Sequence, residues 1–130
     1  MDKLDSTNKE YAHFEFLDDI LCVTFLSKEI TLEIAQHVVQ QRIELTNNKD
    51  FKVLISVNKI TLIPKKARDY FSTDAAKKGI KASALISNTP ISNMIINFFL
   101  GINDITKEEF PSKVFSSKEN GLKWLKSLDV

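Results

Sequence analysis

Three cations fall within four positions of the stretch LIPKKARDYF, residues 62–71. Lys65, Lys66 and Arg68 directly follow a proline, a residue that suits the first turn of a helix. Because a helix N-terminus carries partial positive charge, cations there are unfavourable and an anion is favourable. We therefore predict that these three residues form a cationic rim, partly offset by Asp69, that binds an anionic group on a ligand or partner. The alternative is an ordinary solvated first turn.

Arg42 is the second candidate for chemistry. It belongs to a helix predicted over 32–47, and on a helical wheel it falls inside the apolar arc instead of on the polar side. Burying a guanidinium without a partner is costly, so Arg42 must find an anion or reach solvent past the edge of the core. The pattern favours a structural ion pair, with Asp69 as one candidate partner and a bound ligand as the other.

The third candidate is the apolar sequence PISNMIINFFLGI, residues 90–102, which a Thr-Pro start predicts to be a helix. The face expected to cover a sheet consists of Ile91, Met94, Ile95, Phe98 and Ile102. Ile96 and Leu100 share another side, and Phe99 lies at the margin. A helix that is apolar nearly all round is buried on both sides or presented to a partner. The loop 103–112 could cover it, or it could form a homodimer contact or an apolar ligand pocket.

Catalytic chemistry finds little support in the sequence. His13, His37 and Cys22 are scattered, without the paired spacing of a metal site, and Cys22 lies in an apolar run where cysteine packs as a small hydrophobe. None of the three glycines is placed as a phosphate-binding loop, and no Ser-His-Asp arrangement or G-x-S-x-G motif is present. We therefore predict no catalytic residues, no metal, no cofactor and a protein that is not an enzyme.

Length and composition, with 43% hydrophobic and 27% charged residues, indicate one globular domain over residues 1–130. The single cysteine suits a reducing compartment, and the N-terminus lacks the apolar region of a secretion signal. The longest apolar run falls short of the roughly 20 residues that span a bilayer. The sequence thus predicts a cytoplasmic protein with no membrane span.

Charge is unevenly distributed along the chain. Residues 1–51 carry five basic and ten acidic side chains, whereas residues 52–130 carry thirteen and seven. Such asymmetry suits an anionic partner or self-association, but a solvated helix face is the favoured explanation. The net charge of +1 is unlike that of most nucleic-acid-binding domains. Tyr70 and Phe71 follow Ala67 at helical spacing and are expected to face the core, so we predict no nucleic-acid partner.

Hydrophobic periodicity predicts the order β-β-α-β-α-β-α-β-α. The predicted strands cover residues 12–17, 20–26, 52–57, 81–87 and 113–116, and the predicted helices cover 32–47, 64–79, 90–102 and the region after a Ser116–Glu119 capping box. The first two strands form a hairpin around Asp18 and Asp19. Strands separated by helices imply parallel crossovers, so we predict a single-layer mixed sheet of about five strands with helices packed on it.

This order and size resemble the STAS domain, the SpoIIAA-like fold of bacterial anti-sigma-factor antagonists. The local resemblance runs through VLISVNKITLIPKKARDY, residues 53–70, where a buried strand and a short apolar spacer precede a helix. In that family Asp-Ser-Ser-Gly opens the helix, and one of its serines is phosphorylated to control binding to a kinase partner. The positions in register here are Pro64, Lys65, Lys66 and Ala67, none of which carries a hydroxyl. Lipid-binding CRAL-TRIO domains share a related topology at a greater distance.

The resemblance implies a non-catalytic STAS-like regulatory or protein-interaction module, and the residues in register predict that it lacks a phospho-switch. Its partner would be another protein or a second copy of the chain. The alternative is a carrier or sensor of a small apolar or anionic ligand, including a lipid, held between the cationic rim and the third predicted helix.

Overall fold

The computed structural model describes residues 6–8, 11–91, 93–95 and 110–130, and its strands follow the apolar runs of the sequence. The strands are β1 (Ser6–Asn8), β2 (Ala12–Leu17), β3 (Ile20–Phe25), β4 (Phe51–Ser56), β5 (Ile80–Ile86) and β6 (Ser112–Phe115). The helices are α1 (Leu32–Leu45), α2 (Lys65–Phe71), α3 (Asp74–Lys77) and α4 (Lys118–Ser127), and residues 90, 91 and 93–95 are also helical. None of the described helices is long and apolar enough to cross a membrane.

The described strands form one sheet in the order β1-β2-β3-β4-β5-β6. The first three strands pair antiparallel, and β3 to β6 pair parallel. The hairpin between β2 and β3 turns at Asp18, whose φ of 57° is a left-handed conformation that aspartate tolerates better than most residues. The predicted mixed sheet of about five strands is therefore confirmed, with the three-residue β1 as an additional edge strand.

Side chains alternate along the strands and build two core layers, one on each face of the sheet. The layer beneath α1 and α2 contains Phe14, Leu21, Val23, Phe25, Val53, Leu85, Ala35, Val38 and Ala67. The layer beneath α4 contains Ile20, Cys22, Leu54, Ala82, Ala84, Ile86 and Leu125. Because both faces of the central strands are buried, β4 and β5 read as nearly continuous apolar runs instead of alternating ones.

The helix predicted over 64–79 is in fact two helices, α2 and α3. The break lies at Ser72 and Thr73, whose hydroxyls compete for backbone groups that a continuous helix would use. The Thr73 hydroxyl donates to the Tyr70 carbonyl at 2.6 Å and accepts from the Ala76 amide at 3.2 Å. Thr73 therefore ends one helix and caps the next.

Side-chain caps also define the starts of α1 and α4. The Thr31 hydroxyl accepts from the Ile34 amide at 3.3 Å, which confirms Thr31 as the predicted N-cap of α1. The capping box predicted from Ser116 is shifted by one residue. Ser117 is the N-cap of α4, and its hydroxyl accepts from the Asn120 amide at 3.2 Å.

Gly121 sets how closely α4 approaches the sheet. A Cβ at this position would lie 2.9 Å from Ile86 Cδ1 and 3.2 Å from Leu54 Cδ1. Contacts of this length leave no room for a branched side chain. The missing side chain therefore lets the helix lie directly on β4 and β5.

We expect Gly121→Val to lower the free energy of unfolding by about 1–3 kcal/mol, because overpacking forces α4 away from the sheet. Valine has a higher helix propensity than glycine, so any loss must be steric. Denaturant titration followed by circular dichroism measures the change. Lys123→Val, at an exposed position of the same helix, is the control and should cost no more than about 0.7 kcal/mol. Equal losses in the two variants would contradict the close approach.

Candidate ligand-binding cavity

A cavity of about 90 Å³ lies between the sheet and the helices α1 to α3. Its apolar wall comes from Val23, Phe25, Val38, Val39, Ile55 and Leu85, and its polar lining comes from Arg42, Lys77, Ser83 and Ser112. Apolar walls with a few placed polar groups are typical of small-molecule sites.

Two serines help to create the empty space. Ser83 in β5 and Ser112 in β6 are paired in register on neighbouring strands, and their hydroxyl oxygens are 3.1 Å apart. Each serine occupies a position where a larger apolar side chain would extend toward the helices. One hydroxyl donates to the other, and the pair remains on the cavity wall as a small polar patch.

Arg42 reaches this cavity from α1 and is only 8% exposed. Its guanidinium donates from Nη1 to the Ala76 carbonyl at 3.1 Å and from Nη2 to the Lys78 carbonyl. These carbonyls lie at the C-terminal end of α3, where carbonyls lack partners within the helix and carry partial negative charge. Burial lowers the pKa of Arg42 to about 10, opposed by the neighbouring Tyr70.

Asp69, one of the two candidate partners of Arg42, does not pair with it. The Asp69 carboxylate lies 2.9 Å from the Lys65 ammonium, and the Arg42 guanidinium binds the backbone of α3 instead. The helical wheel correctly identified a cation in the apolar arc. The partners of Arg42 were missed because they are backbone carbonyls. Every residue has one, so the sequence does not show which carbonyls will bind the guanidinium.

Lys77 is the residue that sequence reasoning overlooked. It lines the cavity, is 8% exposed, and its Nζ atom is buried without a hydrogen-bond partner in the described part of the chain. A continuous helix over 64–79 would extend the buried face of Ala67 to Asp74 and Lys78. The break before α3 changes that face, so that Lys77 is buried and Lys78 is exposed. Predicting Lys77 therefore requires predicting the break.

The cationic rim lies apart from the residues that line the cavity. Lys65, Lys66 and Arg68 are all exposed, and α2 begins without a side-chain cap. Lys65 and Asp69 form an exposed ion pair within the first turn, a type of pair that contributes only about 0–1 kcal/mol. Anion binding at the rim stays a prediction.

Aromatic and apolar candidates divide between the core and the surface. Tyr70 and Phe71 pack against the core as predicted. Ile91 and Met94 are 48% and 71% exposed, so the expectation that they cover the sheet is wrong, although Ile95 does contact the core. The three remaining predicted site residues, Ile96, Phe99 and Leu100, lie outside the described residues.

The scattered metal-binding residue types stay scattered in the structure. Cys22 is buried in the layer beneath α4, and burial raises the pKa of its thiol. His37 is exposed, and its ring meets the edge of Tyr11 at 5.4 Å between centroids. Within the described ranges, no three His, Cys, Asp or Glu side chains form a group that could hold a metal ion.

We expect Arg42→Met to lower the free energy of unfolding by about 1–3 kcal/mol, because a buried carbonyl and a partly buried one lose their donor. Hydrogen exchange of the α3 amides should speed up more than exchange elsewhere, since the lost bonds tie α3 to α1. Arg68→Met removes the same charge from an exposed position and should stay within about 0.5 kcal/mol of the parent. If Arg68→Met lowered the stability as much as Arg42→Met, the loss could not be assigned to the hydrogen bonds between Arg42 and α3.

Comparison of structures identifies the class of fold. The chain is similar to an uncharacterised protein of the DUF3478 family from Shewanella loihica PV-4, whose crystal structure is described as having a SpoIIAA-like fold. The superposition has a TM-score of 0.64 and covers 88% of this chain and 91% of that one, at 18% sequence identity. At this identity the likeness establishes a SpoIIAA-like fold and nothing finer.

Comparison of sequences then gives the family. The chain belongs to DUF7793, a family of domains of unknown function, whose model matches residues 14–129. No curated protein matches the chain. Any function must therefore be inferred from the residues themselves.

Proposed function

We propose that this SpoIIAA-like chain is a non-catalytic module that binds a small molecule in the cavity between the sheet and α1 to α3. The observation that carries the proposal is Lys77, a residue that lines an otherwise largely apolar cavity and whose buried Nζ atom has no hydrogen-bond partner among the described residues. An uncompensated buried charge is destabilising. Folded proteins retain such destabilising groups mainly at functional sites, where a ligand can provide the opposite charge.

The cavity lining supports binding more than turnover. Its polar groups are a guanidinium already bonded to carbonyls, one ammonium and two hydroxyls that bond to each other. The described lining residues include no histidine and no carboxylate that could act as a general base. Without a base, neither serine is activated as a nucleophile.

Filling the cavity tests this function. We expect Val39→Phe to keep or raise the stability of the ligand-free protein, because the larger ring occupies empty space beside α1. The same variant should lose binding of compact amphiphiles, with hexanol and hexanoate as probes in titrations followed by amide chemical shifts. Native mass spectrometry of gently purified parent protein should show a bound small molecule that the variant lacks.

Val57→Phe is the matched control, because Val57 is fully buried in the same core layer and does not line the cavity. It should lose about 1–3 kcal/mol of stability through overpacking. If Val39→Phe were equally destabilised, or if it bound the probes as the parent does, a ligand cavity at this place would be ruled out.

Association with a second copy of the chain is the second candidate function, and it rests on a different surface. Leu62 follows β4, whereas Ile91 and Met94 follow β5, and all three are exposed large apolar side chains. The carboxyl ends of adjacent parallel strands meet at the same edge of a sheet. The Asn58 amide oxygen accepts from the Asn88 backbone N–H at 2.8 Å and ties the two loops together. Exposed apolar residues that follow adjacent strands at one edge of a sheet favour a partner surface.

We expect the parent protein to dimerise and Met94→Asp to weaken its dimer at least about tenfold, because a carboxylate at the contact must be desolvated. Size-exclusion chromatography with light scattering across a concentration series measures the change. Val130→Asp alters an exposed apolar residue at the chain end and should leave the dimer intact. A parent that is monomeric at every concentration would overturn this candidate and leave the cavity proposal unaffected.

A further inference from the structure

We propose that the cavity binds a small monocarboxylate, whose carboxylate pairs with Lys77 and whose apolar body lies against Val23, Val38 and Leu85. This inference rests on the proposed function and names its ligand class. The ligand must carry one negative charge on a compact apolar body. This requirement follows from which of the cations that line the cavity already have partners.

Of the two cations that line the cavity, only Lys77 lacks a partner. Arg42 places its charge against the carbonyls of Ala76 and Lys78, which offset it. Lys77 has three ammonium donors, a buried Nζ atom and no hydrogen-bond partner within the described ranges. A ligand anion would therefore meet an unmatched positive charge in surroundings where water screens little.

The donor set favours a singly charged anion. Lysine binds phosphate only as a point charge, and phosphate dianions in proteins are usually also held by guanidinium forks or by the N–H groups of a helix N-terminus. Here the two Nη atoms of Arg42 already bind carbonyls, and the helix end beside Lys77 is the C-terminus of α3, which disfavours negative charge. One ammonium and the one hydroxyl hydrogen that the Ser83–Ser112 pair leaves over suit the two oxygens of a carboxylate.

The remaining wall specifies an apolar body. Val23 and Phe25 of β3 face Val38 and Val39 of α1 across the cavity, and Leu85 of β5 adds to the same wall. Dispersion and the hydrophobic effect would hold an alkyl or aryl group there without directional bonds. The positive charge of Lys77 and the apolar wall together specify a ligand with one acidic group and an apolar body.

The test compares hexanoate with hexanol, which have the same number of carbon atoms and differ in charge. The full chain is titrated with each probe and with inorganic phosphate, and affinities are taken from amide chemical shifts and calorimetry. We expect hexanoate to bind the parent roughly ten- to a hundredfold more tightly than hexanol, as a hydrogen bond to a buried charge allows. Phosphate should bind more weakly than hexanoate.

Lys77→Met should reduce hexanoate affinity roughly ten- to a hundredfold and leave hexanol affinity unchanged. Lys78→Met is the matched control, since it removes the neighbouring charge from an exposed position and should bind both probes as the parent does. The ligand-free Lys77→Met protein should melt at a higher temperature, because an unpaired buried charge is gone. Lys77→Gln replaces it if Lys77→Met fails to give the parent circular dichroism spectrum.

The outcomes separate the two proposals. Equal binding of hexanoate and hexanol, or unchanged hexanoate affinity in the Lys77 variants, would overturn the carboxylate class and leave a neutral-ligand cavity standing. Phosphate binding as tight as hexanoate binding would overturn the monocarboxylate and favour an inorganic anion. If neither amphiphile bound the parent and no small molecule accompanied the purified protein, the proposed function itself would fail.

Discussion

The burial of β4 on both faces is the constraint on which the rest of the structure depends. Val53 points into the layer beneath α1 and α2, whereas Leu54 points into the layer beneath α4, and both are almost fully buried. Because a strand buried on both faces needs cover on each, helices must pack on both sides of the parallel pairs around β4. Gly121 allows that cover on one side, and the α1–α3 layer with its cavity provides it on the other.

Three cations are buried within the described ranges, and two of them solve the same physical problem in the same way. Arg42 donates to carbonyls at the C-terminal end of α3, and Lys52 donates to the Leu128 carbonyl at the end of α4 at 3.0 Å. Each cation thereby joins two elements. Its positive charge lies at the C-terminal end of a helix, where the helix dipole favours it. The fold can evidently supply acceptors to buried cations. Lys77 is the exception, and this contrast strengthens the case for an absent partner.

Much of the fold could be predicted from the sequence because hydrophobic periodicity and turn chemistry are local signals. The hairpin strands, β4 and β5 were placed within about one residue, and Thr31 was recognised as a cap. The break at Ser72 and Thr73 was missed because local hydroxyl bonds there compete with a helix that the apolar spacing also permits. Burial of Lys77 follows from that break, so the cavity could not be predicted either. Arg42 was recognised by its position in the apolar arc. Its partners are backbone carbonyls, which are the same in every residue and so cannot be read from the sequence.

The two groups of cations in this chain obey different electrostatics, although they lie within one basic stretch of sequence. Lys65, Lys66 and Arg68 are solvated, so dissolved ions screen them within a Debye length of about 8 Å at physiological ionic strength. An anion held there would exchange readily with any other. Lys77, the last residue of α3, is buried beside the cavity, where screening is weak and where an anion must bring apolar surface to enter. Selectivity for one kind of ligand is therefore a property that the buried lysine can have and the exposed rim cannot.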